Sequence, residues 1–569
     1  MLKMLQQPAL EAWHHPSASE YRDRIDYTGV FIPTDITWSV QLNSLGAGRL
    51  DSSSVFSLGY AAFTTQVQRA VIRAFSNRID ANVPQGWVSH RRMNVPASAQ
   101  SDLVLTLAEG WRLTPRLPTF EALNLSLSHR LMSIAEEARR ISAFDQNKRA
   151  ARLAENPFVA TNCLASVTYA IDAFESYCGG AGGKWALSFD ELELAPHWVR
   201  EELLASIRSV DDRIVFKLAM SPYNQDIPRV DDVTSASPDN DYDQIVLWYV
   251  EKEHGYAFSE ALWSALTDKA IGHAVPAHQA LGYGFFESEP DEWTDGTAYA
   301  PGSRHAKNFA KLWDADPTFK EYLSNIGIDG RFIHEASRDE RAAVLRKIAP
   351  VVLARNEFRT SDESTPSVRR KPRIERTVRS RKNPLLYTGA ESLFAVTEGN
   401  PRWLIGIIDQ LIQVPQFKAG GEVGRPLQAR AVSRAAHRFA ALLRNAPLQQ
   451  TADRGVLAIL ADIGSYIFDH VVREPFTADP VGSFIVDSHI STEVQHALGI
   501  ALNMGAIVYV PDEEQNVLIR SLKGKRFRLS YLLAANYWNP IRLGRAVSLS
   551  AILRRASDTQ QELLPERGP

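Results

Sequence analysis

The chain has 569 residues, too many for one ordinary core, so two to four domains are expected. Hydrophobic residues at 45% and charged residues at 23% are ordinary globular composition, and a net charge of −3 excludes a nucleic-acid binder driven by global charge. Cys163 and Cys178 give no disulfide framework and no metal-ligand spacing, which suits a reducing, cytoplasmic setting. No apolar run approaches the about 18 residues of a membrane span, and the opening MLKMLQQPALEAWHH lacks the apolar stretch of a signal peptide.

Leu2, Leu5, Leu10 and Trp13 mark one face of a helix whose middle Pro8 should disturb. Thr28–Pro33 reads as a short strand, and residues 55–82 and 119–155 carry helical periodicity. A helix over Cys163–Tyr177 leads through Gly179–Gly183 into an apolar strand, Trp185–Phe189. The helix His197–Ser209 and a second apolar strand, Arg213–Met220, follow. Alternation of this kind predicts a parallel α/β sheet.

Between residues 222 and 385 the pattern loosens into an insertion rich in Pro, Asp, Trp and Gly. Its end, Arg359–Lys382, holds nine Lys/Arg and almost nothing apolar, so it is expected to be disordered. That segment is either a basic arm for nucleic-acid phosphates or a solvated linker. Order is expected again with a strand at Leu385–Thr388, a helical pattern over Glu391–Gln413 and helices at 427–445 and 454–473. A helix over Thr492–Met504, a strand at Ala506–Val510, a turn at Asp512–Asn516 and a returning strand at Val517–Leu522 complete the chain. Helix followed by hairpin is a winged-helix pattern, with Lys523, Lys525, Arg526 and Arg528 just beyond it as a candidate DNA contact.

The chemistry concentrates at Lys184–Glu193, KWALSFDELE, where an apolar strand runs into Asp190-Glu191. Mononucleotide ATPases need this arrangement: a buried parallel strand delivers one carboxylate to the Mg²⁺ shell, and the next residue orients the attacking water. A phosphate-binding loop should be glycine-rich, follow a strand and end in Lys-Ser/Thr. Gly179–Lys184 (GGAGGK) precedes a strand and is followed by Trp185, and Leu45–Arg49 (LGAGR) lacks the lysine. Neither qualifies. His14-His15 has no partner acid, Ile333-His334-Glu335 lacks the second histidine of a zincin, and Pro511–Glu514 falls in a turn.

The opening MLKML…PALEAW and the segment Tyr27–Trp38 (YTGVFIPTDITW) resemble the region just downstream of the phosphate loop in bacterial AAA+/STAND-type P-loop ATPases related to the origin-recognition-complex ATPases. Phe189–Pro196 (FDELELAP), Phe216–Pro222 (FKLAMSP) and Gly399–Arg402 (GNPR) resemble, in the same order, that family's Walker B, sensor-1 strand and lid-helix start. The resemblance spans residues 1–415 thinly. It implies ATP and Mg²⁺ as ligands, with Asp190 binding Mg²⁺ through water and Glu191 polarising the attacking water. Ser221 would be sensor 1 and Arg402 the nucleotide-contacting sensor 2. Glu193 is expected at the surface, able to assist. Arg208 and Arg213 are surface residues or fingers acting on a neighbouring molecule. Double-stranded DNA and a homo-oligomer or partner ATPase are the candidate partners; a membrane is not.

The family's phosphate loop would precede Met1, so this chain as written is expected to be inactive or weak, with an unpaired sheet edge and an exposed apolar groove. The expected fold class is α/β. A parallel-sheet P-loop NTPase core, N-terminally incomplete, covers 1–225, and a large insertion covers 226–385. A helical lid follows over 386–450, then a winged-helix-like domain over 451–569. Two functions remain open: an ATP-binding regulatory ATPase that switches conformation on hydrolysis, or a non-enzymatic DNA- or protein-binding module.

Overall fold

A computed structural model describes residues 2–14, 18–34, 38, 44, 46, 48–83, 92–180, 183–208, 211–223, 240–245, 247, 252–284, 299–337, 341–363, 383–444, 455–511 and 519–561. The chain divides into two compact units, Met1–Gln244 and Ile245–Pro569.

The first unit is built on three parallel strands, β1 (Tyr27–Pro33), β2 (Lys184–Asp190) and β3 (Ile214–Leu218), ordered β1-β2-β3. β2 is central, and Trp185–Phe189 are all buried because helices cover both faces of a parallel sheet. Five helices surround it: α1 (Ser52–Arg78), α2 (Ala97–Gly110), α3 (Phe120–Ile141), α4 (Cys163–Cys178) and α5 (His197–Ser206). Asp51 and Asn162 cap α1 and α4 by accepting the N–H groups of Ser54 and Ala165 at 2.9 Å each.

Phe75, Phe174 and Trp185 pack with centroids 4.4–5.4 Å apart, with the Arg78 guanidinium 5.1 Å over Phe174 and 5.2 Å over Trp185. Burial pulls that guanidinium down to about 10. Gly29 is required on β1, since a Cβ there would lie 2.2 Å from the Leu5 carbonyl oxygen. The outer edge of β3 pairs with no further strand among the described residues, and its residues past Ile214 are half-buried.

Several expectations are corrected here. Pro8 opens the short helix Gln7–Glu11, where its missing N–H costs nothing, rather than interrupting a longer one. The 119–155 pattern is two helices, α3 and Gln146–Ala154. α2 was not anticipated, because its first turns (ASAQSD) carry no apolar residue larger than alanine.

The second unit carries α6 (Lys252–Ile271), α7 (Arg304–Ala315), α8 (Pro317–Asn325), α9 (Ala342–Glu363), α10 (Ala390–Thr397), α11 (Pro401–Ile412), α12 (Arg425–Arg444), α13 (Val456–Phe468), α14 (Thr492–Asn503), α15 (Tyr531–Asn536) and α16 (Leu549–Gln561). Its sheet is mixed, ordered β5-β6-β4-β7, from β4 (Val481–Ile485), β5 (Ile507–Val510), β6 (Arg526–Leu529) and β7 (Arg545–Ser548). β6 is antiparallel to both β4 and β5, whereas β7 is parallel to β4.

Leu385–Tyr387 forms a 3-10 turn after Pro384, not a strand. The strand returning to β5 is Arg526–Leu529, since its alternation places Phe527 and Leu529 inward, not Val517–Leu522; residues 512–518 lie outside the described ones. The 454–473 helix ends at Phe468 and continues as a π-turn, Asp469–Arg473. The basic segment begins inside α9, and Arg359 pairs with Asp316 at 2.9 Å; residues 364–382 lie outside the described ones. Among the described residues, no helix is long and apolar enough to cross a membrane.

Candidate functional site

The carboxyl ends of parallel strands gather backbone turns and side chains at one rim, the usual place for a ligand in an open α/β sheet. Asp190 ends β2 opposite Pro33 of β1. Thr34, the next residue after β1, donates its N–H (3.2 Å) and hydroxyl (2.7 Å) to the Asp190 carbonyl, which pins the two strand ends together. The Asp190 Oδ1 accepts the N–H of Glu191 at 3.2 Å. Glu191 then turns the chain sharply with φ 57° and ψ 41°, left-handed backbone that a non-glycine residue adopts at a cost of about 1 kcal/mol or more. Its side chain is exposed and makes no hydrogen bond among the described residues.

Beyond that turn, Leu192 is buried, and its N–H donates to the Ala219 carbonyl at 3.1 Å. Arg200 of α5, itself buried, donates to the carbonyls of Ala195 (2.5 Å) and Leu192 (3.3 Å), holding the short 3-10 turn Leu192–Leu194. Glu193 Oε2 accepts the N–H of Ser221 at 3.2 Å. Crowding by surrounding atoms pushes the Glu193 carboxyl upward, Glu191 and Asp190 add to this, and the Ser221 N–H opposes it. The Ser221 hydroxyl is shielded from solvent and has no partner among the described residues.

Asp190, Glu191 and Ser221 therefore meet at one rim of the first unit. The residue that sequence reasoning underrated is Glu193, which ties the β2 turn to the segment after β3. Its only advance signal is its place three residues after Asp190. Arg402 belongs to the second unit, exposed in the first turn of α11, where Asn400 caps by accepting the N–H groups of Arg402 (3.0 Å) and Trp403 (3.4 Å).

Arg208 and Arg213 serve the fold. Arg208 bonds Asp241 at 2.7 and 2.9 Å, and Arg213 is held by Asp211 and, at 2.7 Å, by Asp172 and Glu175. Three of the four hairpin cations are similarly engaged, while Lys523 is exposed with no side-chain partner among the described residues. Arg526 donates to Ser483 Oγ (2.9 Å) and the Gly544 carbonyl (2.7 Å), Arg528 donates to Glu398 (2.5 Å), and Lys525 lies 5.2 Å over the Tyr509 ring.

Mg²⁺ takes oxygen ligands, often one or two carboxylates with several waters, and Asp190 at a strand end fits that role. Among the described residues, no group of three or more His, Cys, Asp or Glu could hold a metal unaided. Among the described residues, no strand is followed by a glycine-rich loop ending in Lys-Ser/Thr, and Asp190 is the residue present that fits the cation.

A helix-flanked parallel sheet with an acidic strand end is consistent with a P-loop ATPase-like α/β fold. A family model described as ORC-CDC6-like matches residues 1–549, and the chain belongs to that family. Membership supports an ATPase-type regulatory role and binding of ATP. Comparison with curated proteins and with solved structures returns no match.

Proposed function

We propose that the chain is a nucleotide-responsive regulatory ATPase whose chemistry sits at the rim formed by Asp190, Glu191 and Ser221. The observation that carries this reading is the contrast within that rim: its backbone is tightly bonded, while the Glu191 carboxylate and the Ser221 hydroxyl are left without hydrogen-bond partners among the described residues. An exposed carboxylate and a shielded, unpartnered hydroxyl on a fixed backbone suit a site preorganised for a ligand.

Mg²⁺–ATP, when bound, supplies the electrophilic phosphorus and the cation that neutralises developing charge. Asp190 would hold the cation's water shell. Glu191, projected by its left-handed turn, would accept a hydrogen bond from the attacking water and orient it. The Ser221 hydroxyl would donate toward the same water, at a distance fixed by the Glu193 bond to its backbone. The sensor-2 role of Arg402 rests on the Gly399–Arg402 segment.

Equilibrium binding of a fluorescent ATP analogue with Mg²⁺, to this chain and to a form extended upstream, tests the reading. In whichever form binds, Glu191→Gln should keep binding and lower hydrolysis by about 10²-fold or more. Binding by neither form would overturn the nucleotide reading. Loss of binding in an intact Glu191→Gln fold would remove the water-orienting role.

A further inference from the structure

We infer that the π-turn Asp469–Arg473 and the side chains around it form a proton-sensitive latch for α16, in which protonation of His470 releases the helix. α16 is lightly seated: Leu549 and Ile552 are its only buried side chains among those described. Polar contacts hold the rest. The Asp487 carboxylate accepts the Ser550 N–H at 2.9 Å near the start of the helix. Farther along, Arg555 donates to Glu474, the residue after the π-turn, at 2.5 Å and lies 5.3 Å over the Tyr466 ring of α13. An element with few buried apolar contacts opens at low cost, so its polar ties decide when it does.

His470 sits against the Arg555 tie. π-turns are rare and recur at functional sites. This one is fixed by Arg355 of α9, which donates to the carbonyls of Val471 (3.1 Å) and Glu474 (2.5 Å). The His470 ring packs on Tyr466 with centroids 4.5 Å apart, and its side chain is 16% exposed. Its Nδ1 meets Oε2 of Glu474, the carboxylate that holds Arg555 through Oε1. A carboxylate only accepts, so Nδ1 carries the proton of the neutral ring and Nε2 is a bare acceptor. Nε2 is shielded from solvent and has no partner among the described residues.

A second proton would create an N–H without an acceptor. It would also place a cation on a carboxylate that Arg555 already holds, within the field of Arg545 of β7. Asp469 favours the charged ring but is itself paired with Arg473 at 2.9 Å. Burial, with Arg555 and Arg545, outweighs Glu474 and Asp469 and holds the imidazole below its ordinary 6.5. A base lowered on folding contributes stability that is full above 6.5 and is lost as pH falls through the folded value. Asp487 and Asp316 are held below the ordinary carboxylate range, so both stay charged through that window. The charged ring swings toward solvent and draws Glu474 with it, which leaves Arg555 untied.

The test is hydrogen–deuterium exchange of the full chain at about pH 7.5 and about pH 5.5, read on peptides from α16 and, as an internal reference, from α14. After correction for the intrinsic pH dependence of amide exchange, α16 protection in the parent should fall about three- to tenfold at the lower pH. About tenfold is the ceiling for one group read one unit below its ordinary value, and α14 should change less than about twofold. His470→Gln keeps an N–H for Glu474 but does not titrate, so its α16 protection should be the same at both pH values. Arg555→Gln, at a position exposed to solvent, should lower α16 protection already at the higher pH. Equal protection of the parent's α16 at both pH values would overturn the inference. So would a drop that persists in His470→Gln, a drop shared equally by α14, or an Arg555→Gln helix as protected as the parent's. No step of the test uses nucleotide, so the latch and the Asp190–Ser221 rim stand or fall apart.

Discussion

Each unit holds a glutamate in left-handed backbone, and the two use their carboxylates in opposite ways. Glu191 (φ 57°) follows strand β2, and its exposed side chain makes no hydrogen bond among the described residues. Glu398 (φ 52°) terminates α10 and commits both oxygens, one to Arg528 at 2.5 Å and the other to the Tyr531 N–H at 2.8 Å. Arg528 also lies 4.0 Å over the Tyr531 ring, so the clamp joins the end of α10 to β6 and the start of α15. The same left-handed backbone thus serves cohesion where the side chain is satisfied and leaves a carboxylate exposed where it is not.

The largest effect expected from breaking this contrast is at Glu398. Its removal strands a well-buried guanidinium, and losing one partner of a buried ion pair costs about 3–5 kcal/mol. Glu398→Ala should therefore lower the denaturant midpoint of the second unit sharply, while an Arg528→Met/Glu398→Leu double variant should recover much of the loss. A Glu398→Ala chain that unfolds at the parent's midpoint would make the clamp incidental.

A second committed carboxylate extends the comparison to pH. Asp316 and Arg355 are each only 3% exposed and lie 2.6 Å apart, with Arg359 at 2.9 Å. Burial raises the Asp316 carboxyl, but the Thr318 hydroxyl and the Arg355 and Arg359 charges outweigh it and hold the group below its ordinary range. Stability from a lowered carboxylate is present at neutral pH and fades as pH falls through the lowered folded value. Acid titration of unfolding should show that loss, and Asp316→Asn should be less stable at neutral pH with a flatter acid limb. An acid limb as steep as the parent's would place the titration on other groups.

Legibility in the sequence followed the same division. β2 was visible because both its faces are buried, which leaves an unbroken apolar run ending in Asp190-Glu191. β6 and β7 were obscured because each spans only four residues with two apolar ones, and β4, with which both pair, lies far away in sequence. Arg526 and Arg528, which looked available in the hairpin, are occupied by Ser483, Glu398 and backbone carbonyls, which no local pattern discloses. Glu193 escaped for a related reason: its partner is a backbone N–H on Ser221, 28 residues on.

The smallest expected effect sharpens the comparison most, because it separates stability from chemistry at one residue. Glycine adopts left-handed backbone without the Cβ penalty, so Glu191→Gly relieves strain while adding chain entropy to the unfolded state. The two terms oppose each other, and the net change should stay within about 1 kcal/mol of the parent. No bond is lost by the side chain, since it makes none among the described residues. Glu398→Gly relieves the same backbone but should still be destabilising by about 2 kcal/mol or more, because Arg528 remains buried without its partner. Matched denaturant titrations of the two glycine variants read the difference directly. If Glu191→Gly proves as costly as Glu398→Gly, the Glu191 side chain is a structural tie and its presentation to a ligand is refuted. A near-neutral Glu191→Gly that has lost hydrolysis, in a form that binds the ATP analogue, would leave chemistry as the reason for placing a glutamate in so costly a conformation.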